Sequence, residues 1–327
     1  MGLNGSLLAI DAGNSKTDVA VLGRDGSVLG TARGGGFQPP VVGVGAALEG
    51  LADIVDRAWA AAGADDGTPP AFSHVSACLA NADLAVEERE LTAALEARRW
   101  SRSVTVRNDT FALLRAGLDE PRGVAVVCGA GINCVGMLPD GRTARFPAIG
   151  KISGDWGGGG GLAEEALWCA ARAEDGRGAP TELARALPAH FGLDTMEALI
   201  EALHRNRVPA TRRHELTPVL FRTSAAGDAV ARALVHRQAD EVVALASVAL
   251  GRLGLLDEEA PVILGGGVLA ARHPELDTRI ADLLVAKAPK AVIRVVTSPP
   301  VLGAGLLALD TCGDGPGAAA RLRAHYA

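Results

Sequence analysis

Short apolar segments of this chain repeatedly end in a glycine-bearing turn, and this pattern constrains the fold more than any other feature. The apolar run Leu7–Ile10 leads into the turn 11–17, and the run 123–127 leads into Gly129–Gly131. A second β-forming segment follows each of these turns, as in a strand–turn–strand unit. A third apolar run ends at Gly265–Gly267. Because two stretches of the chain open in the same way, we expect a weak internal repeat.

Helical segments alternate with these strands. Apolar residues at helical spacing predict helices over 44–62, 86–99 and 110–116, and largely helical structure from 162 to 256. A last helix is expected from Pro300 onward. Alternation of strands and helices predicts an α/β fold.

Length and composition narrow the class of protein. A chain of 327 residues is long enough for two domains. It is 48% hydrophobic and carries a net charge of −6, so it has a sizeable core and lacks the basic surface of a nucleic-acid binder. No apolar run is long enough to cross a bilayer. Five scattered cysteines without a CxxC pair predict reduced thiols. We therefore expect a cytoplasmic protein that binds neither nucleic acid nor membrane.

Two aspartates stand at strand ends, where polar side chains of neighbouring strands can meet. Asp11 precedes Ser15, Lys16 and Thr17. It could hold hydrated Mg²⁺ while these residues face phosphate oxygens, or it could make a local turn bond. Asp109 follows a strand and precedes a helix. It could cap that helix, or act as a general base toward a bound hydroxyl.

Glycine-rich segments also allow two interpretations. The three glycine turns could direct backbone amides toward an anion, or merely permit positive φ angles. No Gly-x-Gly-x-x-Gly opens a helix after the first strand and no Walker A motif is present. The five glycines 157–161 could form a flexible linker, or a mobile hinge or a close backbone approach to a ligand, before a helix expected to begin at Leu162. Trp156 directly precedes these glycines and could stack on a sugar or cover an edge of the core. Residues 34–40, which are rich in glycine and proline, are predicted to form a loop.

Several of these segments resemble the phosphate and substrate motifs of the actin/Hsp70/sugar-kinase superfamily. Within it, the chain is similar to the BadF/BadG/BcrA/BcrD ATPase family, and in particular to the N-acetylglucosamine kinases grouped there. The similarity extends over nearly the whole chain. It rests on the segments 11–17, 78–83, 108–110, 128–134, 154–157, 264–268 and 299–304.

The resemblance implies an actin-like fold of two domains, each built on a related ribonuclease H-like core, with ATP and substrate in the interdomain cleft. The expected limits are 1–118 for the first domain and 119–299 for the second, which carries a helical insertion. Residues 300–327 are expected to return to the first domain. A homodimer is also implied.

The resemblance further implies a role for each matching residue. Asp109 corresponds to the catalytic carboxylate and Asp11 to the Mg²⁺ ligand. ATP contacts are implied for Gly13, Ser15, Lys16, Thr17, Gly129, Ala130, Gly131, Gly265, Gly266 and Gly267. Sugar contacts are implied for Gln38, Asn133, Gly150 and Asp155. Two departures stand out, because Ala130 replaces a common hydroxyl residue and Trp156 replaces an acidic residue.

The implied function is ATP- and Mg²⁺-dependent phosphorylation of an amino sugar, N-acetylglucosamine at its 6-hydroxyl first of all. Another hexosamine, such as glucosamine, is an alternative substrate. An ATPase that activates a radical dehydratase or reductase is a second interpretation, with Cys128, Cys134 and Cys169 as conceivable cluster ligands. A sugar sensor without catalysis is a third, and it is disfavoured because the first strand begins at Leu7 and leaves no room for a DNA-binding helix pair.

Overall fold

The computed structural model describes residues 5–65 and 67–327. It is a mixed α/β structure with two five-stranded sheets, which confirms the predicted α/β class. Two compact units divide the chain. The first consists of 1–125, 135–147 and 296–327, and the second of 126–134 and 148–295.

The two sheets share one strand order. The strands of the first sheet are β1 (Leu7–Ala12), β2 (Lys16–Leu22), β3 (Val28–Gly35), β4 (His74–Leu79) and β5 (Val104–Asn108), and those of the second are β6 (Gly123–Cys128), β7 (Ile132–Met137), β8 (Thr143–Arg145), β9 (Ala260–Gly265) and β10 (Ala291–Val295). The first sheet has the order β3-β2-β1-β4-β5, and the second has the matching order β8-β7-β6-β9-β10. This correspondence confirms the internal repeat that the two similar openings predict.

Parallel pairing in the first sheet brings the ends of three strands to one edge. β1 runs antiparallel to β2 but parallel to β4, with Asp11 beside Cys78. β4 in turn runs parallel to β5, with Leu79 beside Asn108. Because parallel strands end at the same edge, the residues that follow β4 and β5 lie near Asp11.

Helices cover this sheet and supply its core. They are α1 (Pro39–Val42), α2 (Val44–Ala61), α3 (Ala85–Glu96), α4 (Thr110–Gly117), α12 (Pro300–Cys312) and α13 (Pro316–His325). Apolar side chains of α2, such as Leu51 and Val55, pack with Ile10 and Val21 in one buried cluster. Residues Val301–Leu309 of α12 are buried as well, and α12 contacts α4 and β1.

The second unit is largely helical between its strands, as predicted. Its helices are α5 (Gly158–Glu174), α6 (Leu183–His190), α7 (Met196–His204), α8 (Leu216–Ala225), α9 (Ala229–Leu253), α10 (Gly267–Ala270) and α11 (Pro274–Lys287). Short 3₁₀ turns occupy Gly150–Ser153 and Ala210–Glu215. Of the helices in the described ranges, none combines the length and the apolar character needed to span a bilayer.

The structure corrects several element limits. The predicted turn 11–17 is shorter, because β2 already begins at Lys16. The predicted loop 34–40 begins inside β3 and ends in α1, where prolines at the first helical positions favour a helical turn. The last helix is followed by a second one, α13, that was not predicted.

The helix expected at Leu162 begins four residues earlier, at Gly158. Glycine is a poor helix former, so the sequence favours a later start. Contacts of these glycines with the turn Gly129–Gly131, described below, outweigh that preference.

Candidate active site

Asp11 and Asp109 lie at the same edge of the first sheet. Asp11 is the fifth residue of β1 and is 7% exposed. Asp109 follows β5 directly, and its backbone N–H donates to the carbonyl of Leu79 at 3.2 Å. A third carboxylate, Asp83, follows β4 and accepts a hydrogen bond from the Asn108 amide at 2.8 Å. The structure therefore brings together the two predicted aspartates and adds Asp83, for which no role was predicted.

The Asp11 carboxyl is in a setting that opposes its ionisation. Burial raises its pKa to about 8, the negative charges of Asp109 and Asp18 act in the same direction, and Lys16 opposes them. A divalent cation would favour the ionised form of such a group. The described residues contain no group of three or more His, Cys, Asp or Glu side chains arranged to hold a metal. Mg²⁺ at a nucleotide site commonly uses only one or two carboxylates besides water and phosphates, so Asp11 fits that ion.

Asp109 is half-buried at the first position before α4. Its side chain makes no helix-capping hydrogen bond, and the Thr110 N–H donates to Asn108 Oδ1 at 3.0 Å. Burial raises the pKa of Asp109 to about 6, although hydrogen bonding with Thr110 partly opposes the rise. The capping interpretation thus loses support, while a carboxylate with this pKa can accept a proton near neutral pH.

The pKa of Asp83 is also raised, to about 7, by burial and by the charges of Asp109 and Glu87. Arg145 lowers it in turn, and the Arg145 guanidinium contacts the Asp83 carbonyl at 3.2 Å. The edge therefore holds three carboxyl groups, and the negative charge of Asp109 raises the pKa values of the other two.

The turn between β1 and β2 has a fixed backbone and exposed polar side chains. The Gly13 N–H donates to the Lys16 carbonyl at 2.9 Å, which closes the turn. Ser15 and Lys16 are exposed, while Thr17 is only 2% exposed. The Lys16 ammonium lies 3.3 Å from Asp18. Of the predicted phosphate residues in this turn, the structure leaves Ser15 and Lys16 accessible and buries Thr17.

Two amide side chains hold the tip of this turn. The Gln38 amide donates to the Asn14 carbonyl at 2.9 Å. The Asn81 amide donates to Asn14 Oδ1 and to the Phe37 carbonyl, both at 3.0 Å. Gln38, predicted as a sugar contact, is thus exposed and attached to the phosphate turn. No role was predicted for Asn81. An asparagine just after a predicted strand is a signal that could have identified it, because asparagine tolerates the positive φ of 62° that it adopts here.

In the second unit, the turn Gly129–Gly131 is held against the first turn of α5. The Gly159 and Gly160 amides donate to the carbonyls of Gly129 and Ala130, at 2.7 and 2.9 Å. A Cβ on Gly158 would lie 2.5 Å from Gly131, so only glycine permits this approach. Four of the five glycines thus belong to α5 rather than to a linker, and Gly158, Gly159 and Gly160 bring its first turn against the backbone of the chain's own turn at 129–131.

The third glycine turn meets the second. Gly266 has a φ of 81°, and a Cβ there would lie 2.6 Å from the Cys128 carbonyl. Gly265 is buried at the end of β9, whereas Gly267 is exposed at the start of α10. We call the Gly129–Gly131 turn, the start of α5 at Gly158–Gly160, and Gly265–Gly267 the glycine cluster.

Asp155 closes the 3₁₀ turn that begins at Gly150. Its carboxylate accepts from the Gly150 N–H at 3.0 Å and from the Ser153 hydroxyl at 2.5 Å. Asn133 lies on β7, where its side-chain oxygen accepts from the Cys134 N–H at 2.7 Å. A cavity of about 260 Å³ is lined by Gly131, Gly150 and Asp155, among other residues of the second unit. The structure thus brings Gly150 and Asp155 together beside the second glycine turn, while Asn133 is absent from the lining of this cavity.

Two of the three cysteines conceivable as cluster ligands are poorly suited to that role. Cys128 and Cys134 are buried, and burial raises the pKa of Cys128 to about 12 and that of Cys134 further still. A thiol with such a pKa stays protonated, whereas a metal ligand must be a thiolate. This observation weakens the activator interpretation.

Comparisons with known proteins agree with this geometry. The family model of the BadF/BadG/BcrA/BcrD ATPase family matches residues 8–308. The N-acetyl-D-glucosamine kinase of Dictyostelium discoideum is 27% identical over 210 residues, covering 63% of this chain and 66% of that protein, just under two thirds of its length. The N-acetylmuramic acid/N-acetylglucosamine kinase of Clostridium acetobutylicum is 26% identical over 209 residues, covering 64% and 68%.

Solved structures show the same fold. A protein of Chromobacterium violaceum, assigned provisionally as an N-acetylglucosamine kinase, has a TM-score of 0.70 at 23% identity, covering 94% of this chain and 99% of that one. This similarity confirms the expected actin-like fold.

Proposed function

The chain belongs to the BadF/BadG/BcrA/BcrD ATPase family, and we propose that it is an ATP-dependent kinase that phosphorylates an amino sugar. N-acetylglucosamine is the first expected substrate and its 6-hydroxyl the expected acceptor. The observation that carries the proposal is the half-buried Asp109, with a raised pKa, at the sheet edge that also holds Asp11. The kinase names of the two sequence relatives support the same reaction class.

In the proposed mechanism, Asp109 accepts the proton of the attacking sugar hydroxyl. Its pKa of about 6 leaves it mostly ionised at neutral pH, yet close enough to neutrality to be an effective base. Phosphoryl transfer otherwise needs little from the protein beyond positioning and charge stabilisation.

Other residues bind and orient the reactants. Asp11 would hold Mg²⁺, which, when bound, offsets the negative charge of the phosphates. The residues proposed to contact ATP are those implied by the family resemblance, in the β1–β2 turn (Gly13, Ser15, Lys16, Thr17) and in two turns of the glycine cluster (Gly129, Ala130, Gly131, Gly265, Gly266, Gly267). Asn133, Asp155, Gly150 and Gln38 are the proposed sugar contacts. The two hydrogen bonds on Asp155 fix its carboxylate, which favours a role in orienting a ligand.

The test is ADP release from Mg-ATP in the presence of single sugars. The panel contains N-acetylglucosamine, glucosamine, N-acetylmannosamine, N-acetylmuramic acid and glucose. We expect N-acetylglucosamine to stimulate ADP release, and Asp109→Asn to reduce the stimulated rate by about 10²–10⁴-fold. The product is identified by its mass and by the phosphorus-coupled carbon resonance of the phosphorylated position.

The matched control is Asp140→Asn, since Asp140 is an exposed hairpin aspartate paired with Arg142. It should retain the native rate. If no sugar stimulates ADP release while a slow ATPase activity remains in both variants, the kinase proposal is wrong.

A further inference from the structure

The cavity beside the glycine cluster has walls that no proposed ATP contact explains. Its volume is about 260 Å³, and its lining includes Trp156 and, from α5, Glu164 and Glu165. These three residues accompany the proposed sugar contacts Gly150 and Asp155 in the same cavity. They therefore lie where a substituent of a sugar held by Gly150 and Asp155 would meet them.

The charged lining is predominantly negative. Asp155, Glu164 and Glu165 contribute three carboxylates, and Lys151 is the one lining cation of the part of the chain that the structure describes. The Lys151 ammonium lies 3.7 Å from Glu165, so its charge is already matched. The lone cation is thus engaged, and the cavity keeps excess negative charge.

Trp156 brings a buried hydrogen-bond donor to the wall of the cavity. Its side chain is 8% exposed, and within the described ranges its indole N–H is buried without a hydrogen-bond acceptor. The Arg237 guanidinium lies 4.1 Å from the ring centroid, over the ring face, and as a donor group it cannot accept from the N–H. A buried donor without an acceptor is unfavourable, so an oxygen from water or a ligand is required there.

Gln238 carries a second orphan donor, by which we mean a buried donor without an acceptor in the part of the chain that the structure describes. Gln238 is fully buried and its side-chain oxygen accepts from the Gly158 N–H at 3.0 Å. Its Nε2 has no acceptor among the described residues, and the side chain lies against Gly157, which lines the cavity. Two unsatisfied donors therefore flank the segment Trp156–Gly158.

From this combination we infer that Trp156, Glu164 and Glu165 form a specificity pocket, which receives an uncharged, oxygen-bearing substituent of the amino sugar and excludes a carboxylate. The inference rests on the proposed function and deepens it. The orphan donors favour a carbonyl or hydroxyl oxygen. The carboxylates repel a sugar acid, because a like charge brought into contact with them lowers affinity. A hexosamine with a carboxyalkyl ether at its 3-position is therefore predicted to be a poor substrate.

The experiment compares two probes that differ by such a group, N-acetylglucosamine and N-acetylmuramic acid. The native protein is expected to use the first with a kcat/KM at least about tenfold higher. The double variant Glu164→Gln/Glu165→Gln removes two carboxylates and frees Lys151, and should reduce this ratio at least about threefold through better use of the sugar acid. Glu174→Gln, on an exposed residue of the same helix outside the cavity, is the matched control and should leave the ratio unchanged.

Binding is measured separately from catalysis. The indole ¹⁵N–¹H resonance of Trp156, assigned with Trp156→Phe, should shift when N-acetylglucosamine is added and stay in place with N-acetylmuramic acid. Circular dichroism and thermal melts of each variant establish that it is folded.

The outcomes separate this inference from the kinase proposal. Equal use of both sugars by the native protein, or a ratio that the folded double variant leaves unchanged, overturns the inference while the kinase stands. If neither sugar is phosphorylated, the kinase proposal fails. In that case a Trp156 shift with N-acetylglucosamine alone still supports the pocket, and no shift with either sugar rejects it.

Discussion

The two sheets open with the same strand–turn–strand unit, yet the two turns do opposite things. In the first unit, the edge near the β1–β2 turn gathers Asp11, Asp83 and Asp109, whose pKa values are all raised. In the second unit, the corresponding turn Gly129–Gly131 gathers backbone, with hydrogen bonds to the start of α5. The first region brings acidic side chains together, whereas the second brings together backbone segments that carry almost no side chains.

The difference teaches that the two regions have different energetic costs. Like charges at a buried edge lower the free energy of unfolding, and they persist in proteins where function requires them. The glycine cluster has no charged side chains, and its Gly159 and Gly160 amides donate to backbone carbonyls, so it carries no comparable cost. It instead limits the residue types that the positions tolerate. Mutations in the first region should therefore damage function while sparing stability, and mutations in the second should damage stability first.

The largest expected effect is that of Asp11→Asn on catalysis. Removing the proposed Mg²⁺ ligand should reduce the sugar-stimulated ADP release by about a hundredfold or more, since a positioned metal contributes several kcal/mol to such a reaction. The measurement is kcat/KM with N-acetylglucosamine over a range of Mg²⁺ concentrations. A variant with native kcat/KM would show that Asp11 does not hold the ion.

The same substitution should raise stability. The folded protein holds a proton on Asp11 up to a pH of about 8, against an ordinary pKa of 3.8, so between these values the folded state binds more protons than the unfolded one. The free energy of unfolding therefore falls as the pH rises through this window. At pH 7.5 without divalent cations, Asp11→Asn should increase Tm by about 2–4 °C. A lower Tm would contradict the conclusion that burial and neighbouring charges disfavour the ionised Asp11 carboxylate.

In the glycine cluster the expectation is reversed. Gly158→Ala places a Cβ at a φ of 74° and 2.5 Å from Gly131, and Gly266→Ala places one at 81° and 2.6 Å from Cys128. Each should lower the free energy of unfolding by about 2–4 kcal/mol, because the left-handed backbone and the clash both oppose it. The measurement is urea unfolding followed by circular dichroism.

Gly161→Ala is the matched control. It lies in the same glycine run inside α5, but a Cβ there would meet nothing within 4 Å. It should raise the free energy of unfolding by up to about 1 kcal/mol, the usual gain of alanine over glycine in a helix. Equal losses in all three variants would mean that the close approach is not what requires glycine.

These two regions also differ in how far the sequence predicts them. The strand ends at Asp11 and Asp109 follow from apolar periodicity, and the parallel pairing then places the two residues at one edge. The start of α5 at Gly158 could not be predicted, because the favourable contacts lie with Gly129 and Ala130, far away in sequence. The role of Asn81 could not be predicted either, since its hydrogen-bond partner Asn14 lies at the tip of a turn far away in sequence. The domain limits, the residue roles and the homodimer stay predictions.

A moderate effect is expected in the pH dependence of catalysis. If Asp109 must be ionised to accept the proton, kcat/KM should fall tenfold per pH unit below about 6 and level off above it. The profile is measured at saturating Mg²⁺ between about pH 5 and about pH 8, a range that brackets the pKa of Asp109.

The neighbouring Asp83 carboxyl tests this assignment. Its pKa is about 7, so it is mostly protonated at about pH 6, and Asp83→Asn should leave the midpoint of the profile near its native value. A profile that stays flat down to about pH 5, or one that loses its midpoint in Asp83→Asn, would exclude Asp109 as the titrating base.

The smallest expected effect is that of a substitution at Ala130, the residue between the two glycines of the turn 129–131. Ala130 is exposed at the tip of its turn, and the carbonyl of this residue already accepts from Gly160, so a small side chain here changes no backbone contact. Ala130→Ser would add a hydroxyl next to the proposed phosphate position. One such hydrogen bond is worth about 0.5–1.5 kcal/mol, so KM for ATP should fall by about twofold to tenfold. Ala130→Cys, similar in size but a weak donor, is the control and should leave KM near the native value. If Ala130→Ser and Ala130→Cys change the KM for ATP equally, the change is due to side-chain volume rather than to a new hydrogen bond. The turn would then contact ATP through its backbone only.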